Sequence, residues 1–222
     1  MCGRFTLTVN PDVLQDMFGL SEPAPEELGP RYNIAPTQAV AVIPNTEPRH
    51  LELMRWGLIP SWAKDPKIGN SLINARGETV AEKPSFRAAL KRRRCLVVAD
   101  GFYEWKQGEG KAKTPYYIQL ENGRPFAFAG LWEVWQEPRG GEVPTCTIVT
   151  TAPNDLMQSL HDRMPVILPP ADYDRWLTPG EVTATEVLGL LKPYTASPMT
   201  ARPVSTRVNS PRVDEPGLLS QG

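Results

Sequence analysis

The alternation of hydrophobic and polar positions predicts many short elements rather than a few long ones. "RFTLTV" (4–9) alternates with the period of two of a half-buried strand. Asn10 then caps a short helix, with Pro11 at its first position and Gly19 as its stop. Residues 21–31, "SEPAPEELGPR", read as an acidic, proline-rich loop. "QAVAVIP" (38–44) and "HLELMRW" (50–56) predict two strands around a turn at 44–48. Residues 56–70, "WGLIPSWAKDPKIGN", form a loop rich in Pro and Gly that carries Trp56 and Trp62.

Ser85 is placed to cap a helix "FRAALKRRR" (86–94), which would set Arg87, Lys91 and Arg94 on one stripe. "CLVVAD" (95–100) runs apolar without alternation, as a buried strand does, and leads into "GFYEW". "PYYIQL", "FAFAGLW" and "TCTIVTT" predict three further strands, and "MPVIL" (164–168) a fourth. "PNDLMQSLH", "PADYDRWL" and "EVTATEVLGLL" predict helices, and the tail from about residue 205 has turn residues and little periodicity. No internal repeat and no clean linker interrupts the chain. The pattern predicts one α+β domain over residues 1–222, mainly antiparallel.

Composition sharpens this picture in two places. The chain holds 24 prolines in 222 residues, about twice the usual share, dispersed between apolar runs. That favours short elements joined by rigid turns over a helix bundle. Net charge is −1, but residues 54–113 hold 13 Lys+Arg against 6 Asp+Glu, while the remainder holds 11 against 19. One basic stretch in a neutral chain fits an electrostatic footprint on one face, and it also fits an ordinary solvated surface. No apolar run is long enough to span a membrane, and no basic-then-apolar signal pattern opens the chain, so a cytoplasmic protein is expected. Three cysteines without a CxxC pair and two histidines argue against a zinc site or other metal.

The candidate chemistry begins with "MCGRF" (1–5). A cysteine directly behind the initiator methionine stands where a core does not easily hide it. With Met1 removed, Cys2 would carry a thiol and a free α-amine on adjacent carbons. Such an amine titrates at about 7.7–8.0 and such a thiol at about 8.5, so part of the amine is uncharged near neutrality. It can attack an aldehyde to give an imine, on whose carbon the thiol closes a five-membered thiazolidine. The thiol could instead act as nucleophile with the amine as its base, or Cys2 could be incidental. Cys95 and Cys146 sit in apolar strands and read as small hydrophobes.

Glu104, set among Phe102, Tyr103 and Trp105, is a carboxyl whose pKa apolar company could raise into the range of proton transfer. Spacing alone equally allows an outward-facing strand glutamate. Asn74 follows three residues that read as buried and could orient an amine or a sugar hydroxyl. Arg76 shares its face if the segment is extended; with the Trp56/Trp62 loop it offers a phosphate contact beside a stacking surface, which suits single-stranded nucleic acid. His161 in "HDRMP" has polar and charged neighbours, although a lone histidine is often structural. His50 lies in an exposed strand-like stretch and is set aside.

Taken together, "MCGRF", "RYNIAP" (31–36), "WGLIPSWA" (56–63), "INARGET" (73–79), "ADGFYEWK" (99–106), "LHDRMPVIL" (160–168) and "RPVSTRVN" (202–209) resemble the SOS-response-associated peptidase (SRAP) family. The resemblance implies a single domain with a barrel-like antiparallel β core flanked by short helices. It implies covalent capture of abasic sites in single-stranded DNA by Cys2, after self-removal of Met1, by a protein that works as a monomer without a cofactor and joins the nucleoid on damage. By the same likeness Asn74 holds the Cys2 amine, Glu104 is the acid/base for imine formation, and His161 helps to open the sugar. Arg76 would bind phosphate, Trp62 would wedge against DNA, and Thr150 would stand near the site. Arg4, Asn33, Lys83 and Arg87 are carried with them as DNA-binding residues. Pro84 in "EKPSFR" departs from the pattern where a second phosphate-binding arginine is expected. The competing readings are an N-terminal-nucleophile amidohydrolase, whose glutamine-amidotransferase members also open with Met-Cys-Gly, and a non-covalent single-strand binder.

Overall fold

The computed structural model describes residues 2–108, 110 and 113–220. Among the described residues, thirteen strands follow one another as β1 Phe5–Leu7, β2 Arg31–Ile34, β3 Ala39–Pro44, β4 Glu52–Trp56, β5 Asn74–Arg76, β6 Arg94–Ala99, β7 Gly101–Gln107, β8 Lys113–Leu120, β9 Phe126–Gln136, β10 Glu142–Thr151, β11 Met164–Pro165, β12 Ile167–Leu168 and β13 Met199–Pro203. Five short helices accompany them: α1 Pro11–Phe18, α2 Arg87–Arg92, α3 Asp155–Gln158, α4 Tyr173–Trp176 and α5 Ala184–Leu188. The fold is α+β, and its strands form two sheets.

One sheet closes on itself. β3 pairs with β4, β4 with β10, β10 with β9, β9 with β6, and β6 returns to β3. Closure of this five-strand barrel leaves no open edge on those strands. Gly130 makes the tight wall possible. It faces Cys95 across the β6–β9 ladder, and a Cβ there would lie 2.8 Å from both Cys95 Sγ and Val97 Cγ2. The second sheet runs β13-β8-β7-β1-β2. Both sheets share one core, because Phe5 of β1 meets Trp56 at 5.1 Å and Phe128 at 5.8 Å, ring centroid to centroid. Phe102 of β7 meets the same Phe128 at 6.0 Å.

The local signals that named caps and buried runs are realised. Asn10 accepts from Asp12 N–H, Pro11 opens α1, and Gly19 ends it at φ 62°, a left-handed conformation that glycine adopts freely. Every residue of β6 is buried. The helix after Ser85 is different. Its cap is Phe86, without a side-chain cap bond, and it stops at Arg92. Arg94 therefore leaves the predicted stripe and enters β6, fully buried. Its guanidinium donates to the carbonyls of Trp176 (2.9 Å), Leu90 (3.1 Å), Lys91 (2.6 Å) and Thr178. These bonds replace the lost hydration. Arg92 and Arg93 are also committed, to Glu181 and Glu133, so part of the basic excess of residues 54–113 is structural rather than free.

The predicted "MPVIL" strand divides into β11 on β10 and β12 on β9, with Val166 bonding to both neighbours between them. The predicted 153–161 helix shrinks to the four residues of α3, capped by Asn154. The tail beyond 205 is irregular but packed. Val208 and Leu218 are fully buried beside Tyr103 and Tyr117. Among the described residues, no helix is long and apolar enough to cross a membrane.

Candidate active site at the amino terminus

The amino-terminal segment runs along the end of β7. Phe5 pairs with Phe102, and Tyr103 N–H donates to the Arg4 carbonyl at 2.9 Å, so Cys2 and Gly3 are led toward Glu104. Cys2 is fully buried, contrary to the expectation that no core hides this position. Burial pushes its thiol well above the ordinary range, and the Glu104 carboxylate adds to the shift. Glu104 is itself only 2% exposed. Desolvation raises its pKa, and the charge of His161 is among the groups that pull it back. The outward-facing alternative for Glu104 is thereby excluded.

Asn74 also reaches Cys2. Its Nδ2 donates to the Cys2 carbonyl at 2.8 Å, and its buried Oδ1 has no hydrogen-bond partner among the described residues. The placement of Asn74 follows from an unusual excursion. β4 and β5 are collinear, both parallel to β10 along one edge: Trp56 stands opposite Cys146, and Asn74 opposite Ile148. The chain leaves the sheet after Trp56 and returns to the same edge at Asn74. The neck of this loop is pinched by Gly57 and Gly69. A Cβ on Gly57, at φ 130°, would lie 2.6 Å from the Gly69 carbonyl oxygen. Trp62 stands on the loop, 58% exposed, while Trp56 is fully buried and offers no stacking surface.

His161 follows α3, its side chain partly exposed. Its Nδ1 lies 3.0 Å from Arg163 N–H and 2.8 Å from Asp162 Oδ1. The neutral ring with Nδ1 bare accepts the first; a protonated ring would form an ion pair with the second. His161 thus has a partner ready for either state.

Arg163 is the residue that sequence reasoning missed. Its guanidinium grips Glu78 at 2.7 and 2.9 Å and reaches the Thr150 carbonyl at 2.7 Å and hydroxyl at 3.2 Å. Thr150 is buried and pairs with Arg76 in register, so Arg163 ties the His161 turn to the β5–β10 edge that carries Asn74. The charged "HDRMP" marked the stretch, but the turn that sets Arg163 against Thr150 and Glu78 depends on contacts distant in sequence.

The remaining candidates divide. Arg76, Lys83 and Arg87 are exposed, as is Pro84. Among the described residues, none of them hydrogen-bonds to the Cys2 cluster. Asn33 is fully buried, and its amide donates to the carbonyls of Val208 (3.3 Å), Ser210 (2.9 Å) and Val213 (2.6 Å). Arg4 bonds Asn33 Oδ1 at 2.6 Å and the Val208 carbonyl at 2.7 Å, with Trp105 beneath it. Both were expected to bind DNA; the Asn33 amide and Arg4 Nη1 hold the carboxy-terminal segment, while Arg4 Nε has no partner among the described residues. Cys95 and Cys146 are buried in the barrel, their thiols pushed up by burial. Among the described residues no cluster of His, Cys, Asp and Glu is placed to hold a metal ion.

The arrangement joins a buried thiol, a carboxyl of raised pKa, an amide on the neighbouring carbonyl and an imidazole within electrostatic reach. Residues 1–211 match the family model described as "SOS response associated peptidase (SRAP)". The chain is 49% identical over 198 residues to the abasic site processing protein YoqW of Bacillus subtilis, covering 88% of each chain. It is 35% identical over 237 residues to the abasic site processing protein HMCES of Xenopus tropicalis, covering 87% of this chain and 70% of that one. A crystal structure of a protein from Bacteroides thetaiotaomicron superposes with a TM-score of 0.90 at 28% identity, over 100% of both chains. The chain belongs to the SRAP family.

Proposed function

We propose that this protein captures abasic sites in single-stranded DNA covalently through Cys2, once Met1 has been removed, and so shields the lesion. The observation that carries the reading is the buried Cys2–Glu104 pair with Asn74 on the Cys2 carbonyl. The names of the relatives as abasic site processing proteins support the substrate.

An abasic deoxyribose is mostly a closed hemiacetal, so a proton must move before its aldehyde is free. His161, partnered in either protonation state, and Glu104 are the groups for that transfer. The Cys2 amine adds to the aldehyde carbon, forming a C–N bond. Water leaves with a proton from the Glu104 carboxyl, the nitrogen returns its own proton to Glu104, and the product is an imine. The thiol sulfur then bonds to the imine carbon while its proton goes, by way of Glu104, to the nitrogen. The result is a thiazolidine, with one water released overall. Asn74 fixes the Cys2 backbone so that amine and thiol meet the same carbon, with its free Oδ1 able to accept from the amine. Arg76, Lys83 and Arg87 supply phosphate contacts and Trp62 a stacking surface. Self-removal of Met1 is the peptidase reaction this site would perform.

The amidohydrolase reading needs a thiolate. Burial and the Glu104 charge both disfavour one at Cys2. A denaturing gel of the protein with an oligonucleotide carrying one abasic site tests the proposal. A retained band for wild type and none for Cys2→Ala supports it; equal bands, or ammonia release from glutamine without any band, contradict it.

A further inference from the structure

A cavity of about 500 Å³ lies on the flank of the same 57–73 excursion, between it and the β9–β10 hairpin. Arg55, Lys64, Lys67 and Arg139 line it, against one acid, Glu137. The chemistry at Cys2 uses none of them. Lys64, Lys67 and Arg139 are exposed and have no ion-pair partner among the described residues. Arg55 is steadied by Asn70 Oδ1 at 2.9 Å, while its Nε is buried with no acceptor. A buried donor left unmet is costly, and four cations against one carboxylate leave a net positive charge. An anionic occupant relieves both.

The frame is already built. Trp135, which forms the apolar wall with Ile59, donates its Nε1–H to the Ala63 carbonyl at 2.7 Å. Ile59 N–H donates to Thr145 Oγ1 at 3.0 Å, and the Gly57–Gly69 contact closes the neck. An apolar wall beside several spaced cations suits a sugar–phosphate backbone better than a lone small anion.

Distance along the sheet identifies which backbone. Arg55 stands opposite Thr145 and Asn74 opposite Ile148 on the same edge of β10, so their side chains leave opposite faces of that edge and a strand that reaches both rounds it. Three residues of strand span about 10 Å. With the turn around the edge added, the path is on the order of three phosphates or more of one strand at duplex rise. We propose that this cavity is a second DNA-contact site, which holds phosphates of the strand flanking the lesion. The inference rests on the reading of the protein as a DNA-capturing one.

The test is the salt dependence of binding to ordinary single-stranded DNA without an abasic site, for wild type and the exposed triple variant Lys64→Ala/Lys67→Ala/Arg139→Ala. Three lost phosphate contacts make the slope of log K against log salt shallower by about 2, and weaken binding at least about tenfold at low salt. The thermal midpoint should not move. An unchanged slope and affinity overturn the proposal. So does a nucleoside monophosphate that binds wild type but not the variant while both bind DNA equally, since a free nucleotide would then be the occupant. Abasic-site capture is scored beside it. Pocket-dependent binding with no capture by wild type contradicts the covalent reading alone; intact capture with an unchanged slope contradicts the pocket alone. Failure of wild type to bind DNA contradicts both.

Discussion

Asn74 donates its side-chain amide to the backbone carbonyl of Cys2 at 2.8 Å, across 72 positions of sequence. The bond makes a loop excursion on the barrel edge into the jig for an amino-terminal residue. Asn74→Ala should cost roughly 1 kcal/mol of stability and slow capture far more than it weakens DNA binding. Single-turnover crosslinking rates beside equilibrium binding check this. Equal losses in both would place Asn74 on the DNA instead.

Glu104 gives a pH signature of known sign. Its carboxyl is raised above 4.5 by burial, so the folded state holds the proton more tightly than the unfolded chain. The stability it contributes is full below about 4.5 and is lost as pH rises through the folded value. Wild-type stability relative to Glu104→Gln should therefore fall as pH rises from that point, in denaturant melts from acid to neutral pH. A constant difference would mean that Glu104 is not desolvated. Capture by Glu104→Gln should slow by about 10²–10⁴.

Asn33→Ala separates a tether from a DNA contact. It removes the donor to three tail carbonyls, so the loss should appear as about 2 kcal/mol of stability and early proteolysis beyond residue 205. DNA affinity of the folded variant should be nearly unchanged.

Arg94→Met should cost about 3 kcal/mol or more, because several carbonyls lose a charged donor in a dry site. A thermal midpoint lower by roughly 10 °C is expected for a chain of this size. A shift below about 2 °C would show that water replaces the guanidinium.

Much of this was legible wherever one short stretch decides the outcome. The α1 caps, the unbroken burial of β6 and most strands of the two sheets follow from local periodicity, but β2, β5 and β13 do not. Glu104 was legible as a carboxyl in apolar company. What was hidden depends on contacts distant in sequence. Arg94 reads as a helix-stripe cation until carbonyls from residues 176 and 178 are brought to it. That Asn33 and Arg4 also tether residues 208–213 is invisible until that segment folds back on them. Trp56 and Trp62 are alike in composition, yet only the barrel decides that one is core and the other surface.

The most direct measurement is the intact mass of the wild-type DNA adduct, followed by alkylation of Cys2 under denaturing conditions. A thiazolidine predicts the mass of the protein without Met1 plus the oligonucleotide less one water, with a Cys2 thiol that no longer alkylates. An adduct that retains Met1, or one whose Cys2 alkylates freely, would contradict capture by the paired amine and thiol.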